Sequence, residues 1–469
     1  MPSEQPPSSS GKVSPITRWL AKVPSWVLIA YGGMASFGTY FCMYAFRKPF
    51  TAVEYKGNSD QFGLTLKTVF VLSQLIGYTI SKYLGVKICS EITKKYRLPI
   101  LIGLILWAEI ALVLFGLMPM HLKFIPIFLN GLPLGMVWGV CVLYLEGRKI
   151  TEFLLAGLAC SYIVASGIVK DAGLFLLQTL DCSDFWMPAI TGLVFLPPVL
   201  LFGWLLSKMP PPTPEDEELR THRQPMTAPE KVAFLKFFWV GVALQLALYF
   251  FITAFRDVRD SYGADIFAGL GYDYKAEKGI FTRSEIMVGI AALTALIVIK
   301  FFDSKKWGVI PNLACQALGF LIIGGSTLAL QAKYITGFQW MVLIGIGGYL
   351  AYVPCDTIFY ERVISRAHWV STAVFMGYVM DAFGYTGSVA LQLYKNLGAG
   401  NISWAKFFIG LSYFLTIAGL IVVSINMFYF PYRARVRRRM IAEQEQEQEQ
   451  EQEQEQEQEQ APALPSPAC

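Results

Sequence analysis

Twelve apolar runs of about twenty residues punctuate this chain, and no water-soluble fold could bury so many. A helix rises about 1.5 Å per residue, so runs of this length match the ~30 Å hydrocarbon layer of a bilayer. They are Trp26–Phe46, Leu66–Leu84, Leu98–Pro119, Leu122–Leu145, Phe153–Gln178, Phe185–Ser207, Ala233–Phe255, Ser284–Phe302, Val309–Gln331, Phe338–Tyr360, Trp369–Tyr394 and Trp404–Phe430. In lipid the backbone must satisfy its own N–H and C=O groups, which leaves helices or closed barrels. These runs are continuously apolar rather than alternating, so they read as helices. Charged residues make up 16% of the chain, against roughly 25% in soluble domains, and that shortage is what leaves the runs nearly bare. The expected fold class is an all-α, multi-pass membrane protein.

Residues 208–232 interrupt the series with Pro210, Pro211, Pro212 and Pro214, then Glu215, Asp216, Glu217 and Glu218, a linker composition. Six runs lie on each side, one bundle over 26–207 and a second over 233–430. Residues 1–25 form a polar tail. Residues 431–469 form a basic and then Glu/Gln-rich tail, expected to be disordered or a loose helix. The first run is too long for a cleaved signal and reads as a retained span. Lys94, Lys95, Arg97, Arg148 and the run Arg433, Arg435, Arg437, Arg438 and Arg439 gather at one set of span ends. By the positive-inside bias both termini are expected to be cytoplasmic. The expected location is the plasma membrane, which is the inner membrane in a Gram-negative cell. The segment after run seven, with Arg259, Lys275, Lys278 and Arg283, goes against that bias.

The halves echo each other. Leu143-Tyr144-Leu145-Glu146 closes run four ahead of Arg148, and Ile358-Phe359-Tyr360-Glu361 closes run ten ahead of Arg362. Arg47 ends run one and Arg256 ends run seven. Such matching order is what repeated halves predict. Two sets of six spans joined by a polar linker resemble the major facilitator superfamily, which implies two pseudo-symmetric six-helix bundles.

Several function classes are excluded. The eight cysteines form no Cys-x-x-Cys pair and most lie in apolar runs, so neither a disulfide framework nor a zinc site is expected. Gly11-Lys12 is followed by Val13, so there is no P-loop, and His121, His222 and His368 belong to no H-E-x-x-H motif. A net charge of +5 gives no nucleic-acid footprint. No cofactor, nucleic-acid partner or enzymatic activity is expected, and the chain is expected to act as a monomer among membrane lipids.

Ionisable side chains in or beside spans are costly there and so carry information. They are Arg47, Lys82, Glu109, Lys170, Asp171, Arg256, Lys300, Asp356 and Asp381. Tyr40, Tyr44 and Arg47 share one face of a helix, and Tyr78 and Lys82 stand one turn apart. A guanidinium fork suits phosphate or carboxylate, and tyrosine hydroxyls can satisfy the remaining oxygens. The bland alternative is an Arg that snorkels from a span end and an anchoring Lys.

The pattern Y-x-x-x-Y-x-x-R-K-x-F in run one, with Y-x-x-S-K-[FY] in run two, resembles the organophosphate:phosphate antiporters. In that family an Arg from span one and another from span seven bind the phosphoryl group across a central cavity. The resemblance implies substrate-binding roles for Arg47, Arg256, Lys82, Tyr40, Tyr44 and Tyr78. The family has a Tyr three residues before its second Arg, where this chain has Thr253, and a His in span five, where this chain has none. Glu109, Asp171 and Asp381 are the candidates for coupling to a proton or cation. The expected function is secondary transport of a small organic anion, phosphorylated or carboxylated, by exchange or proton coupling. The alternatives are a transporter-fold sensor of an anion and a facilitator for neutral solutes.

Overall fold

The structure, a computed structural model, describes residues 14–55, 60–148, 150–213, 216, 228–300, 302, 307–355, 357–367, 374–398 and 402–460. Asp356 and the side chain of Lys300 fall outside what it describes.

Each expected span is helical. The first bundle comprises α1 (Ser25–Met43), α2 (Leu66–Glu91), α3 (Arg97–Leu117), α4 (Phe124–Leu145), α5 (Thr151–Leu180) and α6 (Met187–Leu206). The second comprises α7 (Ala228–Ser261), α8 (Ile280–Lys300), α9 (Ile310–Gln331), α10 (Gly337–Tyr352), α11 (Val374–Leu393) and α12 (Trp404–Gln460). No strand occurs among the described residues, only one isolated bridge between Gln61 and Leu64.

Ten of these helices are long and apolar enough to cross a membrane by composition alone. The two that fall short are α2, which carries Lys67, Gln74, Ser81 and Lys82, and α11, which carries Asp381, Thr386, Ser388 and Gln392. Their polarity has a reason: they pack on each other, one from each bundle, and Lys82 pairs with Asp381 across that contact, while Lys67, Gln74 and Gln392 find polar partners on other elements inside the protein.

The packing is two-fold symmetric. Within the first bundle α2 packs on α4, α3 on α4, α1 on α5 and on α6, and α3 on α6. The second repeats this as α8 on α10, α9 on α10, α7 on α11 and on α12, and α9 on α12. The bundles join through α5 with α8 and through α2 with α11, which are symmetry counterparts. With six spans on each side, the tails and the linker share one end of the molecule; the other end is called the far face below.

Local departures have local causes. Helix α1 tightens into a 3-10 turn at Tyr44–Phe46, and a second such turn covers Pro49–Ala52. Run ten breaks at Val353–Cys355, where Pro354 lacks a backbone N–H, and resumes as a short helix, Thr357–Arg366. Helix α7 starts at Ala228, inside the expected linker, and kinks at Phe238. Of the two forms expected for the tail, the structure shows the helical one as far as Gln460: α12 spans 57 residues and runs through the Glu/Gln repeat. Glu and Gln are both good helix formers, and the repeat extends a helix already nucleated by the membrane span.

Candidate functional site

Span one does not carry Arg47 on a regular α-helical face. In a 3-10 turn residues three apart eclipse, so Tyr44 and Arg47 still point the same way. The turn is held from behind. Gln74 Nε2 donates to the Arg47 carbonyl (3.0 Å) and to Asn130 Oδ1 (2.7 Å), while Asn130 Nδ2 donates to the carbonyls of Phe46 and Ala108 (3.0 Å each). These two amides bind three helices to the one segment whose own ladder is incomplete.

The Arg47 guanidinium is buried. Its carbon lies 3.8 Å from the centre of the Tyr78 ring, 5.6 Å from Tyr44 and 6.0 Å from Tyr385. Arg256, from the other bundle, lies 4.2 Å from the Tyr352 ring and 5.9 Å from Tyr162, and its Nη2 donates to the Tyr385 hydroxyl at 3.5 Å. Tyr385 thus touches both arginines. Both line one small cavity with Tyr44, Lys48, Tyr162, Asp257, Asp260 and Tyr349. Among the described residues no carboxylate is ion-paired to either arginine, and Arg47 Nε has no hydrogen-bond acceptor.

Every other cation around this cavity is paired. Lys48 Nζ lies 2.5 Å from Asp260 and 3.9 Å from Asp257, and donates to Ser261 Oγ at 3.3 Å. Lys170 reaches the other Asp260 oxygen at 2.6 Å, and Ser166 donates to that oxygen too. Towards the far face Lys67 meets Asp265 at 2.6 Å. Towards the tails Lys82 meets Asp381 at 2.8 Å, beside the Tyr78–Tyr385 ring contact of 4.9 Å. In all five of these pairs the first bundle supplies the lysine and the second the aspartate.

Of the expected site residues, Arg47, Arg256 and Tyr44 line the cavity and Tyr78 covers Arg47. Tyr40 stands one shell back, edge-on to Tyr44 at 5.7 Å and to Trp138 at 5.1 Å. Lys82 and Asp381 hold each other in this conformation, so a substrate or a proton that reached either would compete with that pair. Asp171 accepts the Thr282 backbone N–H at 2.6 Å and ties α5 to α8. Glu109 lies outside the cavity, between α3 and α6. Of the residues that went against the charge bias, Arg259, Lys275, Lys278 and Arg283, the structure accounts for Arg259. Arg259 is no loop residue: it is buried in α7, paired with Glu285 at 2.8 Å and bonded to the Met341 carbonyl.

Sequence reasoning missed Lys48, Asp257, Asp260, Gln74, Asn130 and the tyrosines of the second bundle. Asp257 and Asp260 carried a signal, since Arg256-Asp257-Val258-Arg259-Asp260 packs four charges into the end of an apolar run.

The architecture is shared with solved transporters. The chain is similar to the D-xylose–proton symporter, at 17% identity and TM-score 0.57 over 87% of this chain and 98% of that one. It is similar to a mutant of the nucleoside transporter NupG, at 16% identity and TM-score 0.53 over 84% and 99%. A third neighbour is a POT family transporter in complex with 5-aminolevulinic acid, at 13% identity and TM-score 0.53 over 89% and 96%. At these identities the likeness is one of fold, and the fold is that of the major facilitator type. A comparison with curated protein sequences gave no match. A family model matches residues 49–433, which begins just after Lys48 and takes in α2 to α11 and the membrane span of α12, and the chain therefore belongs to the family of unknown function DUF5690.

Proposed function

We propose that this protein is a secondary transporter of a small organic anion, working by alternating access between its two bundles. The observation that carries this is the pair Arg47 and Arg256: one from each bundle, facing one cavity, and without a carboxylate partner among the described residues. A cation at this depth is costly, and tyrosine faces offset only part of that cost. Two like charges across a shared cavity also repel. An anion between them turns repulsion into a bridge and stabilises whichever state brings the bundles together. The fold, shared with transporters, supplies two bundles able to move against each other.

The finer reading is a phosphorylated or carboxylated metabolite, moved by exchange as in the organophosphate:phosphate antiporters, at a plasma membrane with both tails cytoplasmic. The two forked donors and the ring of tyrosine hydroxyls support it. Counterflow of labelled inorganic phosphate in proteoliposomes tests it. Wild type is expected to exchange phosphate, and Arg47→Lys or Arg256→Lys, which keep the charge and remove the fork, to lower the rate by about tenfold or more. Exchange indifferent to both substitutions would remove the arginines from the site. Saturable phosphate binding without counterflow would favour a sensor instead.

A further inference from the structure

Glu109 is the one coupling candidate that the structure leaves unpartnered. It is 5% exposed, and neither carboxyl oxygen has a hydrogen-bond partner among the described residues. Its place is built by an absence: a Cβ at Gly192 would stand 2.0 Å from Glu109 Oε2 and 3.1 Å from its carboxyl carbon. The glycine therefore opens a notch in α6 that the carboxyl fills. Phe46 forms a further wall, 3.2 Å from the same point.

Among the described residues no cation faces it. Four elements pack on α3, namely α4, α6, the turn ending α1 and the 3-10 turn Lys94–Tyr96 that leads into α3, whose Lys94 and Lys95 lie about four helical turns from Glu109. Helix α6 has no titratable side chain. The titratable groups of α4 are Cys141 and Tyr144, about three turns or more beyond the Asn130 that meets α3. At the end of α1, Tyr44 and Arg47 turn into the cavity.

We propose that Glu109 is a proton-binding site inside the first bundle, and that its proton is the ion coupled to anion movement. The second half of this rests on the anion reading above. A neutral acid fits an apolar notch, whereas a carboxylate buried there without a partner among the described residues is strongly disfavoured. Releasing the proton to water thus requires α3 and α6 to part at Gly192. That motion reaches Arg47 through one side chain. Asn130 Nδ2 binds the carbonyl of Ala108, next to Glu109, and also that of Phe46, next to Arg47. Each ionisable residue is one peptide unit from the shared amide.

Infrared spectroscopy of the purified protein tests the site without any transport. Wild type at neutral pH is expected to show the carbonyl stretch of an un-ionised carboxylic acid, which Glu109→Gln lacks. Gly192→Ala, which fills the notch, is expected to shift or abolish it. No difference between wild type and Glu109→Gln overturns the site. In proteoliposomes an inward proton gradient is expected to raise wild-type phosphate uptake several-fold. Glu109→Gln should keep phosphate counterflow and lose the response. Counterflow with an equal gradient response in both proteins overturns the coupling. The carbonyl band without counterflow in wild type leaves the proton site standing and overturns the anion reading instead.

Discussion

Arg47 can act as a fixed anion ligand only because its backbone is fixed, and that rests on Asn130. This side chain is fully buried and makes three hydrogen bonds, to Phe46, Ala108 and Gln74. Asn130→Leu keeps the branched side-chain shape, and it leaves the Phe46 carbonyl, where the helical ladder is incomplete, without a donor at membrane depth. Such an orphaned group costs about 1–3 kcal/mol. Part of that strain is relieved by movement of the 3-10 turn, so the guanidinium loses its aim. The expected outcome is a rise of about tenfold in the phosphate concentration giving half-maximal counterflow, corresponding to ~1.4 kcal/mol, with a smaller change in maximal rate. An unchanged concentration dependence in a folded variant would mean that the clamp does not position Arg47. None of this was legible in the sequence. Arg47 and Arg256 stood out because a charge near an apolar run is conspicuous, while Gln74 and Asn130 are ordinary polar residues whose partners lie on other helices. Lys82 stood out equally, but nothing local to α2 announces its partner Asp381 on α11.

At the scale of elements the lengths and number of spans were readable, because one physical constraint sets them all. Gly131 was also readable as a packing residue, and the structure supplies its reason. A Cβ there would stand 2.3 Å from the Gln74 carbonyl oxygen and 2.8 Å from the Tyr78 nitrogen, both backbone atoms of α2 that cannot rotate away. Gly131→Ala is expected to destabilise the protein by about 1–3 kcal/mol and to lower its unfolding temperature in detergent. Gly325→Ala, with nothing within 4 Å of the new carbon, should leave that temperature unchanged or slightly raised. Equal behaviour of the two variants would show that α2 and α4 are free to separate. The breaks were not readable in the same way. The 3-10 turn under Arg47 exists because neighbouring helices hold it, and the break at Pro354 shows only as a proline that membrane helices tolerate elsewhere, as at Pro133 within α4.

At the scale of the whole molecule the two bundles are electrically unlike where they meet. Lys48, Lys67, Lys82 and Lys170 come from the first, and Asp257, Asp260, Asp265 and Asp381 from the second. Such a seam attracts across the interface while leaving the two arginines, one per bundle, as the charges it does not neutralise. Asp260 is its most committed member, because it alone holds two buried lysines. Asp260→Asn keeps the shape and takes the nearest counter-charge from both, leaving Lys48 only Asp257 at 3.9 Å. Removing one partner of a buried pair typically costs about 3–5 kcal/mol, and here two like charges are then left facing each other. Water entry relieves this most cheaply, so the far face is expected to open. Thr51, 2% exposed in the same layer, reports on it as a cysteine in a background without native cysteines. Its labelling by a membrane-impermeant maleimide should rise several-fold with Asp260→Asn, and fall back when Lys48→Met removes one of the two lysine charges. If labelling stays low in Asp260→Asn, the far face is held by apolar packing between α5 and α8 and the ion pairs merely accompany it. If labelling rises and Lys48→Met reverses it, the charge seam is what sets the balance between the two faces of the molecule.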